Sequence, residues 1–242
     1  MSHLSISQRL HDDLAIIIAE TEPGDRLLSE PKLAQQLGVS RATLREVMRT
    51  FETQGLLQRK QGSGTYVNHP TGAIESGLEI LESIETLAER TGLPVSMGRL
   101  YINTRFATKD EATALNLTSE DQVLHVTRVI NAEGCPVAHL TDILPTDILG
   151  EEDLETGFAG SVLDLLLRHE TLKLKSARTD INAVSAPPDV AKALEIQCGD
   201  VLMCFTSSLY TDNGLVAAFS TSYFLPGYFR FHIVRRISNN RP

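Results

Sequence analysis

The chain has 242 residues, 42% of them hydrophobic, and a formal net charge of −9. It is long enough to bury the cores of two domains, and it has neither an apolar run of membrane-spanning length nor a basic-then-apolar leader, so it reads as soluble and cytoplasmic with no membrane partner. Its three cysteines, Cys135, Cys198 and Cys204, are odd in number and lack metal-ligand spacing; they read as reduced thiols, mostly buried, with no metal site and no disulfide framework.

In chain order, residues 6–20 form a helix with Leu10, Leu14, Ile17 and Ile18 on its apolar side and Asp12 and Asp13 toward water. Pro23-Gly24 breaks it. Ser29 is a good N-cap, and Pro31 falls in the first turn of a second helix, where a missing N–H costs nothing. Leu33, Ala34 and Leu37 give that helix one apolar face. Gly38 ends it as a residue free to take positive φ, Val39 plugs the turn, and Ser40 caps a third helix. Over residues 40–54, Leu44, Val47, Met48 and Phe51 recur at helical spacing and face inward, while Arg41, Arg45 and Arg49 recur every four residues on the opposite side. Residues 56–60 and 65–67 suit strands. Gln61-Gly62-Ser63-Gly64 is the tight tip between them, its glycines allowing close approach to a sugar-phosphate surface, with Arg59 and Lys60 adding charge.

Two short helices at a tight turn, an arginine row on the second and a glycine-tipped ribbon after it make a winged helix-turn-helix. Arginines at the start of such a helix reach phosphates and guanine edges of double-stranded DNA. The charge distribution agrees with this. Residues 1–70 hold eight basic and eight acidic side chains, and residues 40–61 hold five basic and two acidic. Residues 71–242 hold 14 basic and 23 acidic, the whole of the acidic excess. Binding to DNA is therefore expected to be local and salt-sensitive.

Residues 29–67 resemble the GntR family of bacterial transcription regulators. SEPKLAQQLGVSRATLREVMRTFETQGLL matches its helix-turn-helix pattern and QGSGTYV its wing. The resemblance implies that Ser40, Arg41, Thr43 and Arg45 face operator DNA and that Gln61 and Gly62 enter the minor groove. Arg49 and Gly64 complete the expected DNA-binding set. Many family members carry arginine where this chain has Pro31, so one expected contact is missing and the operator is expected to differ.

The domains expected are a winged helix-turn-helix over residues 1–69, a linker over 70–75 marked by Pro70 and Gly72, and a second domain over 76–242. Residues 74–90 read as one helix, with Leu78, Leu81, Ile84, Leu87 and Ala88 inside and Gly92 ending it. An internal repeat follows. Its first copy opens with a capping box at Thr108-Lys109-Asp110-Glu111, then runs through a short helix, a strand over 123–131, a hairpin at Glu133-Gly134 and a strand over 136–144. The second opens at Ser185-Ala186-Pro187-Pro188, with strands over 201–210 and 215–224 joined by Asp212-Asn213-Gly214, a strong hairpin signal. A helix over 161–170 and a strand over 173–184 join the copies. The result is an α+β domain with an antiparallel sheet carrying helices. Two pseudo-symmetric halves offer a crevice, a natural small-molecule site.

Residues 75–237 resemble the UTRA domain, the ligand-binding module of the HutC branch of the same family, through DQVLHVTRVINAEGCPVA, GSVLDLLL and GDVLMCFTSSLYTDNGLVAAFSTSYF. This implies a chorismate-lyase-like fold, a homodimer and an effector in this domain. On the strand over 123–131, Arg128 shares a face with Leu124, Val126 and Ile130; a guanidinium there needs an anion, either on an effector or within the protein. The resemblance favours the effector, since sugar-phosphate-sensing relatives use an arginine at this position. It also implies effector contacts at Ser161 and Tyr223, and a loop over the ligand at Ser83 and Glu85. Ser161 equally suits plain N-capping and Tyr223 plain core packing. Ile130 stands where those relatives have a second arginine, and Leu140 where they have an acid that reads sugar hydroxyls. A small carboxylate or apolar acid is therefore expected in place of a hexosamine phosphate.

No catalytic set or cofactor motif emerges, and His125 and His139 read as core histidines. The expectation is an effector-responsive DNA-binding transcription regulator, a repressor as most of the family are, that binds a small anionic metabolite. The alternative is a chorismate-lyase-like enzyme with an accessory DNA-binding domain.

Overall fold

Helical periodicity and helix caps are local signals, and the first part of the chain folds as they dictate. The computed structural model describes residues 6–22, 24–53, 56–60, 63–67, 74–155, 158, 160–169 and 171–233. It divides the chain into two compact units, Met1–Ala73 with Leu225–Tyr228, and Ile74–Phe224 with Phe229–Pro242.

In the first unit, α1 (Ile6–Glu20), α2 (Glu30–Leu37) and α3 (Arg41–Thr53) precede the antiparallel hairpin of β1 (Leu57–Lys60) and β2 (Gly64–Val67). Ser29 takes the N-cap position of α2, but its side chain makes no capping bond; its carbonyl accepts from Leu33 N. Gly38 takes φ 66 and ends α2, and Ser40 Oγ accepts from Thr43 N, capping α3. Leu14, Leu33, Leu44, Met48, Phe51, Leu57 and Val67 meet in one core drawn from all three helices and both strands. Residues 25–27 add a third edge to the ribbon: Val67 N donates to Asp25 O and Leu27 N to Thr65 O, both at 2.8 Å.

The second unit differs from the expectation at its start. Residues 74–90 are not one helix. Ile74–Gly77 is a strand, β3, paired parallel with β10 (Phe229–His232), and only Ile84–Thr91 is helical (α4). The strand also takes residues 74 and 75 out of the expected 70–75 linker; residues 68–73 lie outside the described residues. Ser83 caps α4, and Gly92 at φ 71 ends it.

The main sheet is antiparallel, in the order β4 (Val95–Phe106), β5 (Gln122–Ala132), β6 (Cys135–Pro145), β9 (Val216–Phe224), β8 (Val201–Thr211), β7 (Leu174–Ser185). Helices α5 (Lys109–Leu115), α6 (Glu151–Glu155), α7 (Val162–Arg168) and α8 (Pro188–Ala193) complete the unit. Thr108 and Glu111 form the expected capping box on α5. Glu133 at φ 51 and Gly134 at φ 78 turn β5 into β6 in the conformation that two-residue hairpins favour. The repeat reaches one strand further upstream than the sequence suggests. β4 is to α5, β5 and β6 what β7 is to α8, β8 and β9, so each copy is strand, helix, strand, strand, and the copies meet at the β6–β9 pair.

Because strand residues alternate between faces, register decides what meets what. Rows run straight across the sheet: Ile181, Phe205, Ser222, Leu140, Arg128 in one, and Thr179, Ser207, Ser220, Asp142, Val126 in the next. Helix α7 packs on this face, through Val162 and Leu166 against Leu124, Val126, Leu144 and Leu209. Helix α5 covers part of the other, through Ala112 and Leu115 against Val123 and Ile143.

Candidate nucleic-acid interface and ligand cavity

On the first unit, the inward residues of α3 leave its arginine side to solvent. Ser40, Arg41 and Arg45 are exposed, and Thr43 and Arg49 are half-buried. Ser40 Oγ lies 2.8 Å from Thr43 Oγ1, so the two hydroxyls at the start of the helix act as a pair. Arg45 is not a bare cation. Its Nε donates to Glu30 Oε2 on α2 at 2.6 Å. Arg59 on β1 reaches the other oxygen of Glu30 at 3.0 Å and Glu52 on α3 at 3.1 Å. One carboxylate thus braces an arginine of the helix and one of the ribbon, and Arg59 acts within the protein where it was expected simply to add positive charge. Gly64 opens β2 at φ 129, a backbone conformation that L side chains rarely adopt, so the position favours glycine. Gln61 and Gly62, expected at the wing tip, lie outside the described residues.

The second unit encloses a cavity of about 620 Å³. Its floor is the pair of sheet rows named above. Its walls come from the 78–84 segment, α4, α7 and β7, with Phe224 and Phe231 at one end. Arg128 lines it and is 4% exposed. Asp142 Oδ2 sits 3.6 Å from Arg128 Nη1, a charge contact too long for a hydrogen bond. Arg128 Nε and Nη1 and Asp142 Oδ2 are buried without a hydrogen-bond partner, while Asp142 Oδ1 accepts from Ser220 Oγ at 2.7 Å.

The other expected effector residues divide. Ser83 lines the cavity; its Oγ accepts from Thr86 N at 3.0 Å and donates to Asp164 Oδ2 at 2.8 Å. Ser161 is buried and caps α7, accepting from Asp164 N at 3.0 Å, and is not among the lining residues. Glu85 stands behind the lining, with neither oxygen hydrogen-bonded; burial pushes its carboxyl up from the ordinary 4.5 against the pull of Arg128. Tyr223 does not line this cavity. Parity puts Ser222 and Phe224 in the cavity and Tyr223 on the opposite face, between His139 and Cys204. Its ring lies 6.2 Å from that of His139. Burial holds the His139 and His125 imidazoles below their usual value, favouring the neutral form.

The UTRA domain family matches residues 84–230, and the family described as bacterial regulatory proteins, gntR family, matches residues 4–67. The repressor NagR of Bacillus subtilis is 26% identical over 90% of this chain and 89% of its own. The histidine utilization repressor of Pseudomonas aeruginosa is 27% identical over 85% of this chain and 80% of its own. The crystal structure of PhnF from Mycobacterium smegmatis superposes with a TM-score of 0.63 at 20% identity, over 95% of this chain and all of that one, so the fold is shared. The chain belongs to the GntR family, in its HutC branch.

In this GntR regulator the sequence reading missed Asp142, the acid beside Arg128, and Asp164, the acid that accepts from Ser83. A signal was present for the first: on β6, Asp142 alternates with Leu140 and Leu144, as Arg128 alternates with Val126 and Ile130 on β5. Two lone charges on facing apolar stripes of one hairpin belong together. Among the described residues no group of His, Cys, Asp and Glu could hold a metal ion, and no helix is long and apolar enough to cross a membrane.

Proposed function

We propose that the chain is a cytoplasmic repressor that binds palindromic operator DNA as a homodimer and is controlled by a small molecule bearing a carboxylate or phosphate in the second unit's cavity. The observation that carries the DNA half is the solvent-facing arginine side of α3, opposite a core of Leu44, Val47, Met48 and Phe51. The repressor names of NagR and the histidine utilization repressor support the sign of regulation. Two copies related by a two-fold axis present two recognition helices to half-sites one helical turn apart. The effector half is supported by Arg128, whose Nε and Nη1 are buried at the cavity without a hydrogen-bond partner. Effector binding favours a state with the wrong half-site spacing, and operator affinity falls by the difference in its affinity for the two states.

A mobility-shift assay on the DNA upstream of the protein's own gene tests this. A retarded band is expected at low salt, and Arg45→Ala is expected to weaken it by about 1–3 kcal/mol if the guanidinium leaves Glu30 for a base. No retardation of any such fragment by dimeric protein sinks the proposal.

A further inference from the structure

Arg128 is buried and Asp142 largely so, and neither charge is fully satisfied. The guanidinium has donors to spare at Nε and Nη1, and the carboxylate has an acceptor to spare at Oδ2. They face each other at 3.6 Å, too far to use these atoms on one another. The missing partner therefore needs an acceptor for the first and a donor for the second. Resting on the reading of this cavity as the effector site, we propose that the effector is a small zwitterion, its carboxylate held by Arg128 and its ammonium by Asp142.

The surrounding charge favours this over a simple anion. Asp164, itself not among the lining residues, accepts from the Oγ of the lining Ser83 at 2.8 Å. The charged side chains that line the cavity, Arg128 and Lys175 against Glu79, Glu82 and Asp142, carry a net negative charge. A lone carboxylate adds to that charge and a phosphate adds more. A molecule with one charge of each sign adds nothing and matches each sign where it is needed. The rest of the lining suits such a ligand. Thr179 and Ser207, joined at 2.8 Å, continue the polar row from Ser220 and Asp142. At the far end Phe205 and Phe231, with ring centroids 4.4 Å apart, offer an apolar seat for a side chain. At about 620 Å³ the cavity admits an amino acid with room to spare for a larger attached group.

Calorimetry on the full chain, with matched sets of probes at millimolar concentration, tests the proposal. The probes are the proteinogenic amino acids with β-alanine and 4-aminobutyrate, the same carbon skeletons without the amine, the same skeletons without the carboxyl, inorganic phosphate, and glucose. At least one amino acid is expected to bind, and removing either charge from it is expected to weaken binding about tenfold or more. Asp142→Asn, which keeps the shape, is expected to erase the preference for the amine-bearing probe over its deaminated twin. Arg128→Gln is expected to erase the preference for the carboxyl-bearing one. A deaminated carboxylate, phosphate or glucose that binds as tightly as any amino acid overturns the proposal, as does no binding by any zwitterion. If such a carboxylate or phosphate also releases operator DNA and loses affinity in Arg128→Gln, the effector-site reading stands while the zwitterion falls. If a ligand binds and releases operator but neither substitution changes its affinity, both fall together.

Discussion

Glu30 touches two arginines, Arg45 on α3 and Arg59 on β1. Its carboxylate receives Arg45 Nε at 2.6 Å and Arg59 Nη2 at 3.0 Å. Exposed pairs of this kind stabilise little, because water competes for both partners; their effect lies in where they hold the side chains. A carboxylate beside Arg45 repels any phosphate that approaches it, and it orients the guanidinium until a base edge offers a better match. Glu30→Gln removes the charge and keeps the shape. It is expected to tighten binding to random-sequence DNA, steepen the salt dependence by about one counterion, and narrow the gap between operator and random DNA. Titrations at several salt concentrations on both DNAs measure all three, and an unchanged ratio counts against this role. Glu111 is the other informative carboxylate. It meets Arg105 through two bonds of 2.7 Å and closes the capping box of α5 by accepting from Thr108 N. The Arg105 bonds, with the Thr108 bonds behind them, hold its carboxyl down at about 2. A value lowered on folding means stability that is present above 4.5 and lost as the pH falls toward about 2. Glu111→Gln is therefore expected to destabilise the second unit at neutral pH by about 1–2 kcal/mol after allowance for solvent screening, with a lower melting temperature, and to flatten the acid limb over that window. Melting curves between neutral pH and acid decide it.

Among the elements, α4 shows most plainly what sequence reading reaches and what it does not. Leu78, Leu81, Ile84 and Leu87 fall at helical spacing, so the stretch from Ile74 looks like one helix. The chain before Ser83 is instead occupied by β3, whose partner β10 lies almost at the other end of the second unit. No local pattern announces a four-residue strand with so distant a partner. Ser83 marks where the helix truly starts, and its hydroxyl also ties α4 to Asp164 on α7. Ser83→Ala is expected to destabilise the second unit by about 1–3 kcal/mol, the range for a lost cap plus a half-buried carboxylate left short of a bond. Denaturant midpoints give the value, and recovery in Ser83→Thr separates capping from mere bulk. The winged helix-turn-helix was legible because its caps, its glycine and its apolar stripes all act within a few residues. β4 was not, because it is an edge strand with no buried residue of its own, so its sequence carries little alternation. Tyr223 failed for a subtler reason: a resemblance transfers a residue type, whereas a one-residue step along a strand moves the side chain to the other face.

At the scale of the whole molecule the charge is divided by role. The acidic excess lies entirely in residues 71–242, while the stretch 40–61 is basic. Operator binding is therefore expected to fall steeply with salt through a few local arginines. Ligand binding at Arg128, which is buried, is expected to respond weakly. The two events nonetheless share one free energy if the small molecule acts as an effector. Whatever factor it removes from operator affinity, saturating operator must remove from its own, since the four states form a closed cycle. For a regulator of this kind that factor is expected to be about 5–150-fold. The decisive measurement is the dissociation constant of whichever panel amino acid binds, taken by calorimetry with and without saturating operator duplex and compared with the operator's loss of affinity in the same buffer. Equal factors well above one establish an effector. A ligand whose affinity ignores the operator occupies the cavity without control over the arginines of α3, because a molecule that binds both states equally shifts neither.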